Sequence, residues 1–265
     1  MSIIKGLEWT FNTVASTYEK FRPGYTDELY QMIFDYIALN ESCYAIEVGI
    51  GGGQATLPFL KTGCHLTAVE YGEDLSRLCE EKFKEYHNFS IITNRFENEA
   101  FLDNTYDLVY SASAFHWVPE SIGYTKVSSM LKRGGAFARF ANHPYRDKGN
   151  LPLSEEMDRV YAKYYYKFYN KEPEVPTEYS EEQAIRRAEI AEKYGFVDIK
   201  YAMFHRTRTF SANEYSTLLG TYSDHIAIEE SIRKKFFSEI EDAINNHGGS
   251  ITIYDTIDLQ LARKP

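Results

Sequence analysis

Ala45-Ile46-Glu47-Val48-Gly49-Ile50-Gly51-Gly52-Gly53-Gln54-Ala55-Thr56 is the stretch that decides the fold. The run from Cys43 to Val48 has no polar alternation and ends at glycines, which is the pattern of a buried strand. Glycines at 49, 51, 52 and 53 then form a turn too glycine-dense for helix or strand, and helix propensity resumes from Gln54 to Lys61. Strand, glycine turn, helix: this order makes a nucleotide cradle. Glycine lets backbone N–H groups approach a ligand with no Cβ in the way, and the N-terminus of the following helix faces the same crevice.

Upstream, Phe11 to Leu39 is dense in aromatics (Phe11, Tyr18, Phe21, Tyr25, Tyr30, Phe34), and Pro23-Gly24 breaks it into two helical pieces. The second starts near Thr26, with Asp27 and Glu28 in its first turn, and presents Leu29, Ile33, Tyr36 and Ile37 at helical spacing for packing on a sheet. Downstream, His65–Glu70, Phe89–Thr93, Asp107–Tyr110 and Ala136–Phe140 read as strands. Helices at Glu73–Tyr86 and Ser121–Leu131 alternate with them, the second closed by Arg133-Gly134-Gly135. This alternation predicts βαβ units, hence a parallel sheet with right-handed crossovers.

Beyond Asn142 the pattern changes. Helices are expected at Glu155–Tyr169, Glu181–Lys193, Ala212–Leu219 and Glu229–Asn245, and long strands at Val197–Phe210 and Ile251–Ala262. The last strand is entered through His247-Gly248-Gly249-Ser250. The tyrosines between Tyr161 and Tyr169 fit helix packing better than a binding platform.

The 265 residues are 43% hydrophobic and 26% charged, an ordinary globular composition, with a formal net charge of -10. That balance argues against a long nucleic acid as partner. Three cysteines (Cys43, Cys64, Cys79), odd in number and without metal-ligand spacing, fit a reducing cytoplasm. Met1 to Thr10 lacks a signal-peptide core and no 18-residue apolar run occurs, so the expectation is a cytoplasmic protein with no membrane partner.

The nucleotide is narrowed by spacing. The glycines make G-x-G-x-G, whereas the dinucleotide fingerprint needs glycine at position 54, occupied here by Gln54. No Gly-Lys-Ser/Thr closes the turn as a P-loop requires. Glu70, ending the second strand, is placed to accept both hydroxyls of a ribose and to repel a 2′-phosphate. Ser111-Ala112-Ser113 is not the Gly-x-Ser-x-Gly elbow of a hydrolase, and the histidines show no metal-site spacing, so no metal is expected.

Taken together, Glu47-x-Gly49-x-Gly51-x-Gly53, Glu70, Phe96-Glu97, Asp107-Leu108-Val109 with Phe115-His116-Trp117, and Leu131-Lys132-Arg133-Gly134-Gly135 resemble the class I S-adenosylmethionine (SAM)-dependent methyltransferases. Gln54-Ala55-Thr56 and Phe115-His116-Trp117 look most like the small-molecule branch that includes trans-aconitate methyltransferases. The resemblance covers Tyr18 to Phe140 well and the remainder in outline. It implies an α/β fold: a Rossmann-like, doubly wound, mostly parallel seven-stranded sheet whose last strand is antiparallel. It also implies a helical N-terminal cap over the cofactor (1–40), a SAM-binding core (41–141), and a helical substrate-pocket insertion with the last two strands (142–265).

By the same resemblance the cofactor is SAM and the product S-adenosylhomocysteine (SAH). Gly49, Gly51 and Gly53 would lie under its methionine and ribose, Glu47 would hold the amino group, and Glu70 the ribose hydroxyls. Tyr71 would lie against the adenine, with Phe96 offering it a backbone N–H and Ser111 offering a carbonyl to the methionine end. Where relatives often carry an acid for the adenine amino group this chain has Arg95, which accepts no hydrogen bond, leaving Glu97 for that contact. Tyr18, Arg22 and Tyr25 match an aromatic-Arg-Pro-x-Tyr lead-in that closes over the cofactor.

Methyl transfer from a sulfonium is an in-line displacement, so the protein chiefly aligns nucleophile, methyl and sulfur and excludes water. His116 and Trp117 are the candidates at the transfer point, His116 as a group able to orient or deprotonate an acceptor. Tyr25, Asn142, Tyr145, Tyr222 and His225 are candidate contacts for a small-molecule acceptor accepting at O, N or C. A carboxylate acceptor would call for Arg22, Arg139 or Arg146. An NAD-dependent oxidoreductase and a non-catalytic SAM/SAH-binding protein are the competing readings.

Overall fold

Capping residues and glycines decide where the elements begin and stop. The computed structural model describes residues 6–146 and 148–265. A 3₁₀ turn (Glu8–Val14) leads into α1 (Ala15–Phe21), and the Pro23-Gly24 break separates α1 from α2 (Asp27–Tyr36). β1 (Tyr44–Val48), α3 (Thr56–Leu60), β2 (His65–Glu70), α4 (Glu73–Lys82) and β3 (Phe89–Thr93) follow. Then come β4 (Tyr106–Ala112), α5 (Glu120–Met130) and β5 (Leu131–Arg146). Next are α6 (Leu151–Tyr161), α7 (Glu181–Glu189), β6 (Val197–Ser211), α8 (Ala212–Leu219), α9 (Ser223–Ile226), α10 (Glu230–Asn246) and β7 (Ser250–Arg263).

The seven strands form one sheet in the order β3-β2-β1-β4-β5-β7-β6. β1 pairs in parallel with β2 and β4, β2 with β3, and β4 with β5, while the closing strands are antiparallel. The expected α/β, Rossmann-like sheet is therefore present. Two expectations about its elements change. β5 runs well past both ends of Ala136–Phe140, since its ends carry too few apolar residues to show alternation. The tyrosine-rich helix starts at Leu151 rather than Glu155, because the Asn150 side chain accepts from the Leu153 N–H and Pro152 occupies the first turn. That helix ends in a π-helical turn, Ala162–Tyr166.

Two compact units divide the chain. Unit 1 comprises the chain up to Arg22, His143–Glu178 and His205–Thr256; unit 2 comprises Pro23–Asn142, Tyr179–Phe204 and Ile257–Pro265. Unit 2 is a sheet covered on both faces, as period-2 alternation along β4 shows. Leu108 and Tyr110 enter one apolar cluster with Leu29, Ile33 and Phe59, and Val109 enters another with Phe115, Tyr124 and Val127. The α2 residues read as a sheet-packing face, Leu29, Ile33 and Tyr36, are buried. Unit 1 has its own core of α6, α8 and α10 around Met157, Leu218, Phe236 and Ile240.

Candidate functional site

In unit 2 the glycine turn follows β1 at the carboxyl ends of the parallel strands. Gly49, Gly51 and Gly53 all have positive φ (73°, 57° and 73°), a backbone that L side chains rarely adopt. Space enforces the choice as well: a Cβ on Gly49 would lie 2.4 Å from the Ala114 Cβ, and one on Gly53 2.6 Å from the Phe83 ring. Helix α4 supports the turn from behind, with Lys82 Nζ donating to the Gly52 carbonyl (2.9 Å) and the Cys79 thiol to that of Gly51 (3.2 Å).

Two carboxyl groups flank the turn in different environments. Glu70 is partly buried and spread between backbone donors, one oxygen accepting from Gly51 N–H (2.9 Å) and the other from Gly72 N–H (2.9 Å). Each oxygen keeps lone-pair capacity for a further donor. Glu47 is fully buried. Its Oε2 accepts from the hydroxyls of Thr56 (2.8 Å) and Tyr110 (2.8 Å), while Oε1 is buried with no partner among the described residues. Burial pushes the Glu47 carboxyl up to about 8, the two hydroxyls pulling the other way. Burial raises Glu70 too, opposed by its backbone donors.

At the next strand ends, Tyr71 is exposed and the Arg95 guanidinium lies 4.1 Å from its ring centroid. Arg95 also lies 3.8 Å from a Glu97 carboxylate oxygen, so the residue in the acid's usual place is a cation stacked on Tyr71. Phe96 is buried, and the turn it opens is gathered by Lys126 of α5, whose Nζ donates to the carbonyls of Phe96 (2.6 Å), Glu97 (3.1 Å) and Glu99. Ser111, buried in β4, donates its hydroxyl to the Val48 carbonyl (2.7 Å), tying β4 to the mouth of β1.

Just past the end of β4 stands Ser113, a non-glycine residue with φ 55°. Its hydroxyl hydrogen-bonds the Tyr25 hydroxyl (2.8 Å) and accepts from the Asn142 N–H (3.3 Å). His116 and Trp117 follow in a 3₁₀ turn, Phe115–Trp117, with their rings 5.0 Å apart and half-buried. Gly123 lets α5 pack against this turn, since a Cβ there would come within 2.7 Å of the Phe115 ring.

Unit 2 thus gathers Glu47, the glycines, Glu70, Tyr71, Phe96, Glu97, Ser111, His116, Trp117, Tyr25 and Asn142. Tyr18, Arg22, Tyr145, Tyr222 and His225 belong to unit 1. There the Arg22 guanidinium lies 5.0 Å from the Tyr18 ring centroid and 4.1 Å from that of Tyr222, and donates to the Thr221 carbonyl (2.8 Å). Tyr145 is half-buried. His225 is buried with both ring nitrogens engaged, Nδ1 with Asp224 (2.8 Å) and Nε2 with the Tyr161 hydroxyl (3.1 Å). The interaction with His225 holds the Asp224 carboxyl below the usual carboxylate range, against the desolvation that would raise it. Of the three arginines named for a carboxylate, Arg139 is buried in unit 2 against Tyr124 and Phe115.

Thr56, Tyr110 and Lys126 escaped the sequence reading. One signal pointed toward the first two: a glutamate inside an apolar strand needs buried donors. No local signal marks Lys126.

Residues 46–138 match a family model described as a methyltransferase domain. An uncharacterised methyltransferase of Schizosaccharomyces pombe is 23% identical over 238 residues, covering 89% of this chain and 87% of that protein. A candidate methyltransferase of Dictyostelium discoideum is 24% identical over 243 residues, covering 88% and 84%. Among solved structures, a candidate type II methyltransferase from Anaeromyxobacter dehalogenans superposes with a TM-score of 0.63 at 18% identity, covering 92% of this chain and 98% of that one. Haemonchus contortus phosphoethanolamine N-methyltransferase 2, solved with phosphomonomethylethanolamine and SAH, gives 0.56 at 14% identity, covering 96% of this chain and 57% of that one. With the strand–glycine turn–helix cradle, the segment from residue 46 to residue 138 is similar to a methyltransferase domain on a Rossmann-like sheet, and SAM is the cofactor that this likeness supports.

Proposed function

We propose that the protein transfers a methyl group from SAM to an O, N or C atom of a small molecule, with the cofactor held by unit 2. The observation that carries this reading is the buried, unpartnered Oε1 of Glu47 beside the glycine turn. An acceptor oxygen kept without a donor in the interior is costly, and an ammonium group supplies the missing donor together with a compensating charge. The methionine end of SAM carries that ammonium. Glu70, held by Gly51 and Gly72, takes the ribose hydroxyls. Tyr71 and Arg95 offer a stacking surface to the adenine, with Phe96, Glu97 and Ser111 as the remaining cofactor contacts.

When bound, SAM supplies an electrophilic methyl on a positively charged sulfur. The chain's own task is then alignment and water exclusion. His116 orients the acceptor, or takes its proton where the nucleophile arrives protonated, and Trp117 shields the transfer point. Tyr25 and Asn142, both tied to Ser113, are the acceptor contacts proposed in unit 2. A trans-aconitate-like acceptor is the finer form of the proposal, and a cytoplasmic location goes with it. No described helix is long and apolar enough to cross a membrane.

A thermal-shift panel of SAM, SAH and NAD tests the cofactor. Ligand at about 100 Kd stabilises by roughly 2.7 kcal/mol, so SAM and SAH should raise Tm and NAD should not. An acceptor screen read by SAH release tests the transfer. Binding without SAH release from any acceptor class would leave a SAM-binding protein that is not a transferase.

A further inference from the structure

Within unit 2, the ammonium of Lys126 is spent on one short turn. From α5 its Nζ donates to the carbonyls of Phe96 (2.6 Å), Glu97 (3.1 Å) and Glu99, one for each of its three N–H groups. It also lies 5.1 Å from the Phe96 ring centroid and 5.5 Å from that of Phe101. The other end of the turn is tied to β2, where the Asn94 N–H donates to the Glu70 carbonyl (2.9 Å). The Asn94 side chain closes the loop, Nδ2 donating to a Glu99 carboxylate oxygen (2.9 Å) and Oδ1 accepting from the Arg95 N–H (2.8 Å). One asparagine and one lysine thus set the shape of the segment that leaves β3.

The carbonyls that Lys126 claims fix where the neighbouring N–H groups point. A trans peptide carries its carbonyl and its N–H on opposite sides. The Phe96 carbonyl is turned to Lys126, so the N–H of the same peptide, on Glu97, faces away from the lysine. The Arg95 carbonyl accepts from the N–H groups of Asn98 (3.0 Å) and Glu99 (3.2 Å), which turns the Phe96 N–H outward. Hydrogen bonds from an ammonium are roughly twice as strong as neutral ones, so its removal would release three peptides at once. Gly123, one helical turn before Lys126, is what lets α5 come this close, by packing it against the Phe115 ring.

We infer that Lys126 is a positioning residue for the base of the bound cofactor: its three carbonyl bonds hold the turn so that the N–H groups of Phe96 and Glu97 face an acceptor ring nitrogen of adenine. This rests on the cofactor reading above and adds to it a residue that acts through the turn. Its effect is therefore confined to the base and does not extend to the amino acid end of the cofactor, which Glu47 serves from β1.

The test is calorimetric titration of the full chain with SAH and with three SAH analogues in which CH replaces the adenine nitrogen N1, N3 or N7. Wild-type protein should bind SAH and lose about tenfold in affinity for one of the three analogues. Lys126→Met should bind SAH about tenfold more weakly and no longer discriminate against that analogue. Lys126→Gln, which keeps N–H donors on a neutral group, should fall between the two and serves should the methionine variant fail to fold. In ligand-free protein, amide hydrogen exchange over residues 94–101 should quicken in Lys126→Met while β1, β2 and β4 keep their protection. An equal loss of affinity for all four ligands would make the lysine a stabilising residue only and overturn the inference, as would unchanged SAH affinity in both variants. Failure of wild-type protein to bind SAH would instead overturn the cofactor reading itself, and this inference with it.

Discussion

Tyr110 donates its hydroxyl to the buried carboxyl of Glu47 across 2.8 Å, from a strand 63 positions later in the chain. The same ring stacks on Phe59, with centroids 3.9 Å apart and planes 18° from parallel. A side chain that serves the core through its face thus sets, through its edge, the chemistry of the group assigned to the cofactor's amino end.

The first prediction concerns a proton. With its carboxyl raised to about 8, Glu47 is protonated at pH 7 in the free protein. An ammonium ligand favours the carboxylate, so SAM binding at pH 7 should release about one proton, and affinity should rise with pH up to about 8. Calorimetry in buffers of different ionisation enthalpy reads this directly; in Glu47→Gln the release should vanish and SAM binding weaken.

Stability of the ligand-free protein should show the mirror image. A carboxyl raised in the folded state binds its proton more tightly there than in the unfolded chain. Its contribution is fully present below about pH 4.5, the ordinary value of a glutamate, and is lost as pH rises through about 8. Denaturant midpoints for Glu47→Gln should therefore fall less than wild type between pH 5 and pH 8.

Tyr110→Phe separates the ring from the hydroxyl. The stacking on Phe59 and the burial are kept, so stability should change by only about 1 kcal/mol. The carboxylate form of Glu47 loses one of its two donors, which should cost about 1.5–3 kcal/mol of SAM affinity, or roughly ten- to a hundredfold in Kd. Equal Kd values for mutant and wild type would remove this hydroxyl from the site.

Gly49→Ala forces both a disfavoured φ and the 2.4 Å contact with Ala114. About 3 kcal/mol of destabilisation is expected, with loss of SAM binding. Adding Ala114→Gly should recover the steric part and leave the backbone part, so a double-mutant cycle would show partial rescue.

His116→Ala should lower kcat with an assayed acceptor and leave SAM affinity nearly unchanged, since none of the cofactor contacts assigned above passes through that ring. An unchanged kcat would remove it from the mechanism.

Much of this was legible in the chain. β2 and β3 fall where their apolar runs begin and end, His65–Glu70 and Phe89–Thr93, although β2 lies inside the sheet and β3 at its edge. The positive φ values at 49, 51 and 53 follow from glycine alone. What stayed hidden depends on partners distant in sequence. Lys126 reaches carbonyls some 30 residues away, and nothing near it in the chain announces them. Arg95 read as a missing acid, whereas the structure adds what replaces it, a cation stacked on Tyr71. His225 carried the look of a pocket residue, yet its ring is buried between Asp224 and Tyr161. Composition does not distinguish a histidine in the interior from one at a surface.

The lone oxygen of Glu47 has a consequence for selectivity. An empty site with a neutral carboxylic acid offers no attraction to cations in general and no repulsion to anions. Only a ligand that both fits the glycine turn and brings its own ammonium can draw off the proton and gain the ion pair. An adenosine compound lacking that amino group finds the acid unmoved, however well its ribose suits Glu70. The domain would then choose among nucleosides by an exchange of charge made at the moment of binding, which shape alone does not provide.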